Sequence, residues 1–314
     1  MISRGTFKIL IHNQDAGKRM DAFVASLISG CSRSLAVNLI LRGEIRIGGN
    51  LKKPGYKLKA GDEISGRIPR PEPIPFEPEP IELNILYEDT HLIVINKQPG
   101  LVIHPAPGHH TGTLVNGLLY HCPDLGGIGG KLRPGIVHRL DRNTSGTLVA
   151  AKNAVAQEHL ASQFKSRKTV KTYLALVHGE VREASGTILL PIGRHPVHRK
   201  KMSAFSKKGR DAETHWRVME YFCGATLLKL GLKTGRTHQI RVHCSAMNHP
   251  VIGDDVYCGR RAGKNFPLKS VPRQMLHAWR LEFTHPVTEK IMRFESPIPE
   301  DMDGLIKVLR ACQP

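Results

Sequence analysis

The residues best suited to chemistry lie in one stretch: Gly135-Ile136-Val137-His138-Arg139-Leu140-Asp141-Arg142-Asn143-Thr144-Ser145-Gly146. An apolar approach meets a turn dense in hydrogen-bonding side chains, and the apolar run Thr147-Leu148-Val149-Ala150-Ala151 follows. Arg139 and Asp141 stand two residues apart at its mouth. Asn143, Thr144 and Ser145 offer an amide and hydroxyls, and Gly146 can take a positive φ. Such a turn can hold a carboxylate at a fixed angle between two strands, where it could serve as a nucleophile or proton acceptor. Taken alone, Asp141 reads more readily as a local cap, the commoner use of an Asp in a turn.

Two other segments carry side chains that a carboxylate site could use. Lys171-Thr172-Tyr173-Leu174-Ala175-Leu176-Val177 is an apolar strand with a single tyrosine, which by itself suggests core packing. Gly235-Arg236-Thr237-His238-Gln239-Ile240-Arg241-Val242-His243 turns into a basic helix, with Thr237 near its cap. Glycine and histidine chemistry is weaker. Gly126-Gly127-Ile128-Gly129-Gly130 fits neither the P-loop nor the dinucleotide spacing, and Lys131 is followed by Leu132 rather than Ser or Thr. The 17 histidines form no HExxH or Cys/His cluster, which argues against a metal hydrolase.

The elements that must position these residues fall into two groups. Phe7 to Ile11 suits a short leading strand. Met20, Phe23, Val24, Leu27 and Ile28 follow amphipathic helical spacing. Ser32 or Ser34 can cap a second helix, ended by Gly43, and two turn-and-strand units follow. A helix pair on a small sheet is expected within 18–67, part of an N-terminal domain 1–67 that holds 12 Lys/Arg against 5 Asp/Glu, a net +7. Its basic face includes Arg33, Arg42 and Arg46, placed to meet phosphates. Residues 68–80 contain Pro69, Pro71, Pro73, Pro75, Pro78 and Pro80; they favour an extended spacer and mark a domain boundary.

The segment 81–314 reads as a strand-rich α+β domain with a mixed, mainly antiparallel sheet. Strands are expected at Leu92–Ile95, 171–177, 187–190, 214–221, 225–232, 275–283 and 291–294, and helices from Thr113 and, capped by Asn153, over Ala156, Leu160 and Phe164. No regular strand–helix alternation supports a doubly wound fold.

Composition bounds the partner. The 314 residues carry 46 Lys/Arg against 27 Asp/Glu, a formal +19, which points to a polyanion, most economically nucleic acid. Residues 194–210 hold Arg199, Lys200 and Lys201 among seven basic residues and no acid; 259–273 hold five more. Both suit phosphate neutralisation. Six cysteines include no CxxC pair, so reduced thiols are expected. No secretory signal and no run long enough to span a membrane is visible, so a soluble, cytoplasmic protein is expected.

Taken together, His138-Arg139-Leu140-Asp141 with Thr144-Ser145-Gly146, Lys171-Thr172-Tyr173 with Val177 and Gly179, Gly235 to His243, and Asn96-Lys97-Gln98-Pro99-Gly100-Leu101-Val102 with His104-Pro105 resemble the RluA-type pseudouridine synthases. Within them the closest likeness is to members acting on large-subunit ribosomal RNA. Arg19-Met20-Asp21, Ser32-Arg33-Ser34, Gly43 to Ile47 and Gly61-Asp62 likewise resemble the small RNA-binding module first seen in a ribosomal small-subunit protein, the S-four type. Gln98, between a lysine and a proline that often adjoin in the family, is a small departure.

The resemblance implies the pseudouridine synthase fold and an isomerase needing no cofactor and no metal. RNA is the implied partner, large-subunit ribosomal RNA or its precursor particle foremost, and no membrane is involved. By the same resemblance Asp141 is the catalytic carboxylate, Arg241 the basic residue that pairs with it, and Tyr173 the tyrosine that stacks on the target base. Arg139 fills the space the flipped base leaves, and Leu276 packs under the site. A non-catalytic RNA-binding assembly factor is the alternative; mere binding would not need Asp141, Tyr173 and Arg241 together.

Overall fold

The computed structural model describes residues 6–27, 33–67, 77–105, 110–123, 125, 134–198, 201–206, 208–258 and 271–312. The proline-rich residues 68–76, the glycine loop 126–130, Ser32, Arg199, Lys200 and most of the basic segment 259–273 lie outside the described residues. Contacts divide the chain into two compact units, Met1–Pro73 and Ile74–Pro314.

In the first unit, β1 (Thr6–Leu10), α1 (Met20–Leu27), α2 (Arg33–Leu41), β2 (Ile45–Ile47) and β3 (Glu63–Arg67) build a helix pair and an antiparallel sheet in the order β1-β3-β2. The helical spacing read from sequence delivers Met20, Phe23 and Val24 to a core shared with Leu39, Ile40, Ile45 and Ile64. Asp21, 2% exposed, accepts from Arg19 Nη2 at 2.8 Å and Arg33 Nη2 at 3.3 Å. The Arg19 bonds hold its carboxyl below the ordinary range. One buried carboxylate thus joins the starts of both helices, while Arg42 and Arg46 remain exposed.

The second unit is α+β. Its strands and helices run β4 (Ile85–Glu88), β5 (Leu92–Lys97), α3 (Leu114–His121), β6 (Ser145–Ala151), α4 (Ala154–Lys165), β7 (Val170–His178), β8 (Ser185–Ile188), β9 (Gly193–Arg194), β10 (Met202–Ser203), β11 (Thr214–Phe222), β12 (Ala225–Leu232), α5 (Gln239–Ala246), β13 (Leu276–Thr284), β14 (Ile291–Glu295) and α6 (Glu300–Ala311). A nine-stranded sheet has the order β4-β5-β6-β13-β7-β12-β11-β8, with β14 paired to β13. All its pairings are antiparallel except β6–β13, where His277 faces Ser145 and Ala278 faces Gly146.

Strand alternation assigns the helices to faces. Leu148 and Ala150 of β6, with Tyr173, Ala175 and Val177 of β7, share a core with Leu114 and Leu118 of α3 and Ile240 and Cys244 of α5. Their sequence neighbours point the other way. Val149 and Ala151 pack with Ala156 and Leu160 of α4; Leu174 and Leu176 pack with Met302, Leu305 and Leu309 of α6. Every residue of β6 is therefore buried, as a central strand covered on both faces must be.

The helix expected from Thr113 starts at Leu114 with Thr113 as its cap, accepting from Asn116 N–H, and the expected cap at Asn153 accepts from Ala156 N–H at 2.9 Å. Glu77 O and the Glu79 carboxylate bond to Asn116 and Gly112, so the described end of the proline-rich stretch belongs to the second unit. The expected Thr237 cap differs: α5 starts at Gln239, preceded by His238 in the left-handed region at φ 57°. His238 makes no side-chain cap bond, and Gln239 instead ties the helix start to the preceding loop, accepting from Thr234 Oγ1 at 2.8 Å and Arg236 N–H at 3.0 Å. No helix among the described residues is long and apolar enough to cross a membrane.

Candidate active site

Asp141 lies in the turn that opens β6, and the turn is locked by its backbone and by two buried cations. Thr144 N–H donates to Asp141 O at 3.0 Å. Lys97, at the end of β5 and 1% exposed, donates to the carbonyls of Gln98, Leu101 and Arg142 at 2.7, 3.0 and 2.9 Å. Burial lowers its pKa to about 7, helped by Arg273 and opposed by Asp141. Arg273 donates from Nη1 to Asn143 O at 3.1 Å, while Nε and Nη2 grip Asp301 of α6 at 2.6 and 2.7 Å. Each cation takes up carbonyls that the turn withdraws from regular pairing.

The turn's downstream end depends on Gly146. Its φ is 112°, and a Cβ there would collide with the backbone of Ala278 on β13. His277, beside Ala278 and fully buried, bonds Ser145 Oγ through Nδ1 at 3.0 Å. His138 sits upstream. Its Nε2 accepts from Val149 N–H at 3.1 Å and its ring stacks on Phe164, centroids 4.5 Å apart. Burial holds its pKa down at about 3, with Lys171 adding to the effect. A neutral imidazole that accepts from the backbone has an orienting role in this turn.

Arg241 meets this turn from α5. Nη1 donates to Asp141 Oδ2 at 3.1 Å. Nε and Nη2 donate to Asp254 at 2.6 and 2.9 Å. The guanidinium is 5% exposed and Asp254 1%. Burial works against its charge, but Asp254 and Asp141 outweigh burial and raise its pKa. Asp254 also accepts the N–H groups of Val256 and Tyr257, at 2.9 and 3.0 Å, so its lone pairs are engaged on both sides. Beside this pair, His238 places Nε2 3.8 Å from Asp141 Oδ1, and its Nδ1 bonds Tyr257 Oη at 2.8 Å. Tyr257 Oη also accepts from Met202 N–H at 2.8 Å, and the ring lies 5.1 Å from the Arg241 guanidinium. Burial lowers the His238 pKa, with Asp141 opposing.

These groups open into one pocket, whose walls include Tyr173, Leu232 and Leu276, with Arg139 at the rim. Tyr173 is 8% exposed and lies opposite Leu230 of β12. Burial, then the charge of Asp141, raises its phenol pKa. The slot offers a carboxylate with one oxygen fixed by a guanidinium, flat apolar and aromatic walls, and an exposed cation at the mouth. That combination suits a planar base whose sugar meets the carboxylate.

Asp141, Tyr173, Arg241, Arg139 and Leu276, distant in sequence, thus line one pocket. Arg33, Arg42 and Arg46 belong to the first unit. Lys201 donates Nζ to Val256 O at 2.7 Å, within the turn that carries Asp254. Sequence reasoning missed Asp254, Tyr257, Arg273 and the anchoring use of Lys97. The available signal for Asp254 was Gly253-Asp254-Asp255, an acidic pair in a basic region. Among the described residues, Glu88, His121 and Cys122 cluster as metal-ligating types. Lys152 Nζ already lies 2.6 Å from Glu88, a cation where a metal would compete.

Comparison with known proteins agrees with this geometry. Residues 91–246 match the RNA pseudouridylate synthase family and residues 18–64 match the S4 domain. A Bacillus subtilis protein named as an uncharacterized RNA pseudouridine synthase is 43% identical over 302 residues, 96% of this chain and 97% of its own. Ribosomal large subunit pseudouridine synthase D of Zymomonas mobilis is 42% identical, covering 97% of this chain and 98% of its own. Among solved structures, human RNA pseudouridylate synthase domain containing 4 aligns with a TM-score of 0.58 at 26% identity, over 72% of this chain and 93% of its own. The sheet with its carboxylate turn, and relatives matched over nearly the full length, lead to one conclusion: the chain belongs to the RNA pseudouridylate synthase family, isomerases that convert uridine in RNA to pseudouridine.

Proposed function

We propose that this enzyme isomerises uridines of large-subunit ribosomal RNA in the cytoplasm, with Asp141 as its catalytic carboxylate. The observation that carries the assignment is the Asp141–Arg241 contact, 3.1 Å, at the floor of a pocket walled by Tyr173 and Leu276. A protein that only bound RNA would gain nothing from a carboxylate aimed into an otherwise basic surface. The choice of RNA rests on relatives named ribosomal large subunit pseudouridine synthase D and on the S4 match at residues 18–64.

Isomerisation breaks the bond from the sugar's anomeric carbon to N1 of uracil and makes one to C5. C5 gives up its proton and N1 ends with one, so nothing is oxidised or reduced. Asp141 supplies the carboxylate beside the anomeric carbon, and Arg241 fixes the direction of its lone pairs. The uridine must first leave its stack, a cost of a few kcal/mol. Arg139, exposed at the rim, takes the vacated space, its guanidinium plane stacking on neighbouring bases. Tyr173 and Leu276 hold the extruded base. Arg33, Arg42 and Arg46 contact phosphates from the N-terminal unit, and Arg199, Lys200 and Lys201 supply further charge for RNA phosphates.

The test is a map of pseudouridines in ribosomal RNA from cells lacking this protein. Large-subunit sites should be lost and should return on complementation. Unchanged large-subunit sites would move the substrate to another RNA.

A further inference from the structure

Beside the base slot, and continuous with it along one wall, lies a second cleft. Lys165, Arg167, Lys171, Arg210, Lys233 and Arg236 all line it. No Asp or Glu among the described residues does so, and the cleft shares Arg139, Tyr173, Leu232, Gly235 and Arg236 with the base slot. The cations come from four places: the end of α4, β7, the segment before β11, and the loop after β12. They converge by folding and do not form a run in sequence.

Like charges crowded together are costly unless an anion is expected. Here the crowding acts on the charges themselves. Burial lowers the pKa of Arg236, and Arg210 and Arg167 lower it further, with Asp211 the weakest influence. Burial likewise lowers that of Lys171, and again Arg167 adds to it. Arg236 donates Nε to a backbone carbonyl, Asp211 O, at 3.0 Å, so this bond leaves its charge uncompensated by a carboxylate.

Arg167 occupies a revealing position. Helix α4 ends in a Schellman arrangement, with Arg167 N–H donating to Phe164 O at 3.4 Å and Lys168 N–H to Gln163 O at 3.0 Å. The residue at this point takes the left-handed conformation, here φ 60°. Glycine fits that seat without strain. An arginine there accepts backbone strain to place an exposed guanidinium at the cleft.

We propose that this cleft is a phosphate subsite that binds the RNA backbone next to the flipped uridine, with Arg167, Arg210 and Arg236 as its guanidinium contacts. The proposal rests on the RNA-modifying reading above. The shared rim residue Arg139 marks where the strand passes from one cavity to the other. Phosphates in the cleft would hold the strand from one side while the base enters the slot, so the subsite acts in productive binding rather than in the bond changes.

The test is the salt dependence of kcat/KM for uridine isomerisation in protein-free large-subunit ribosomal RNA. For a single strand, each phosphate that the protein ceases to neutralise should reduce the slope of log(kcat/KM) against log[KCl] by about 0.7. The double variant R167G/R210A should therefore have a slope shallower by about 1.4, and R167K/R210K should keep the wild-type slope. Glycine suits the left-handed seat, so R167G should fold, and circular dichroism and Tm check this. An unchanged slope in R167G/R210A, with the wild-type protein turning over normally, overturns the subsite alone. A wild-type protein that isomerises no uridine in any RNA overturns the underlying reading and the subsite with it.

Discussion

Asp254 grips Arg241 at two points, Nε–Oδ2 at 2.6 Å and Nη2–Oδ1 at 2.9 Å, and so leaves only Nη1 free to face Asp141. A planar guanidinium held by one edge cannot rotate away from the carboxylate in front of it. Asp254→Asn keeps the shape but removes the charge and one acceptor. Removing one partner of a buried pair typically costs about 3–5 kcal/mol, and a misplaced catalytic group can cost about 100-fold in rate. The D254N protein should lose Tm and lose kcat by about 10- to 100-fold, with KM little changed. Denaturation curves and steady-state kinetics check both; wild-type kcat would show that Arg241 needs no clamp.

Gly146 should tolerate no side chain. A Cβ meets the backbone of Ala278 where β6 and β13 run parallel, and φ is 112°. Gly146→Ala must separate those strands or twist the turn that carries Asp141. A loss of several kcal/mol is expected, in the range of severe backbone and overpacking defects. Urea denaturation measures it; a variant within about 0.5 kcal/mol of wild type would mean that the strands can part without cost.

Arg273 and Asp301 connect α6 to the turn that carries Asp141. Arg273 donates to Asn143 O while it grips Asp301. Asp301→Asn should lower stability and also lower kcat, although Asp301 lines no part of the base slot. Wild-type kcat in a destabilised D301N protein would reduce the contact to a structural brace.

Acid should weaken the fold through His138. Its folded pKa is held at about 3, below the unfolded value of about 6.5. The unfolded chain then binds more protons between those values, so this stability is complete above about pH 6.5 and is lost as pH falls toward 3. At about 1.4 kcal/mol per pH unit, the full effect is several kcal/mol. The buried histidines His243 and His277 are shifted in the same direction and add to it. His138→Gln keeps an acceptor for Val149 N–H without the titration. Its urea midpoint should fall less steeply between about pH 6.5 and about pH 4 than that of wild type; parallel slopes would remove His138 from the account.

The local patterns of this chain were legible because short-range physics sets them. The α1 stripe, the helix after Thr113, the cap at Asn153, and the β12 span Ala225–Leu232 follow from spacing and side-chain type alone. The helix α6 was missed because its apolar face, Met302, Leu305, Ile306 and Leu309, follows a polar and proline-rich approach that resembles a tail. The parallel β6–β13 pair was missed because 124 residues separate the two strands and no local signal encodes such a pairing. At the site, Asp141, Tyr173 and Arg241 were found by resemblance, whereas the residues that hold them were not. Lys97 and Arg273 look like surface cations in a sequence. Only the fold shows that Lys97 reaches Arg142 O and Arg273 reaches Asn143 O in the turn, with Lys97 also holding Gln98 O and Leu101 O. His238 was expected inside a helix; it stands before α5 in the left-handed region, and the helix begins at Gln239.

The central claim is that Asp141 performs the chemistry and that its partners only bind and orient. Isomerisation displaces the hydrogen at C5, so RNA labelled with tritium at C5 of uridine releases label with each turnover. Asp141→Asn should release no tritium above background, yet bind the same RNA with an affinity close to wild type. Tritium release by the D141N protein at a rate near that of wild type would contradict the account.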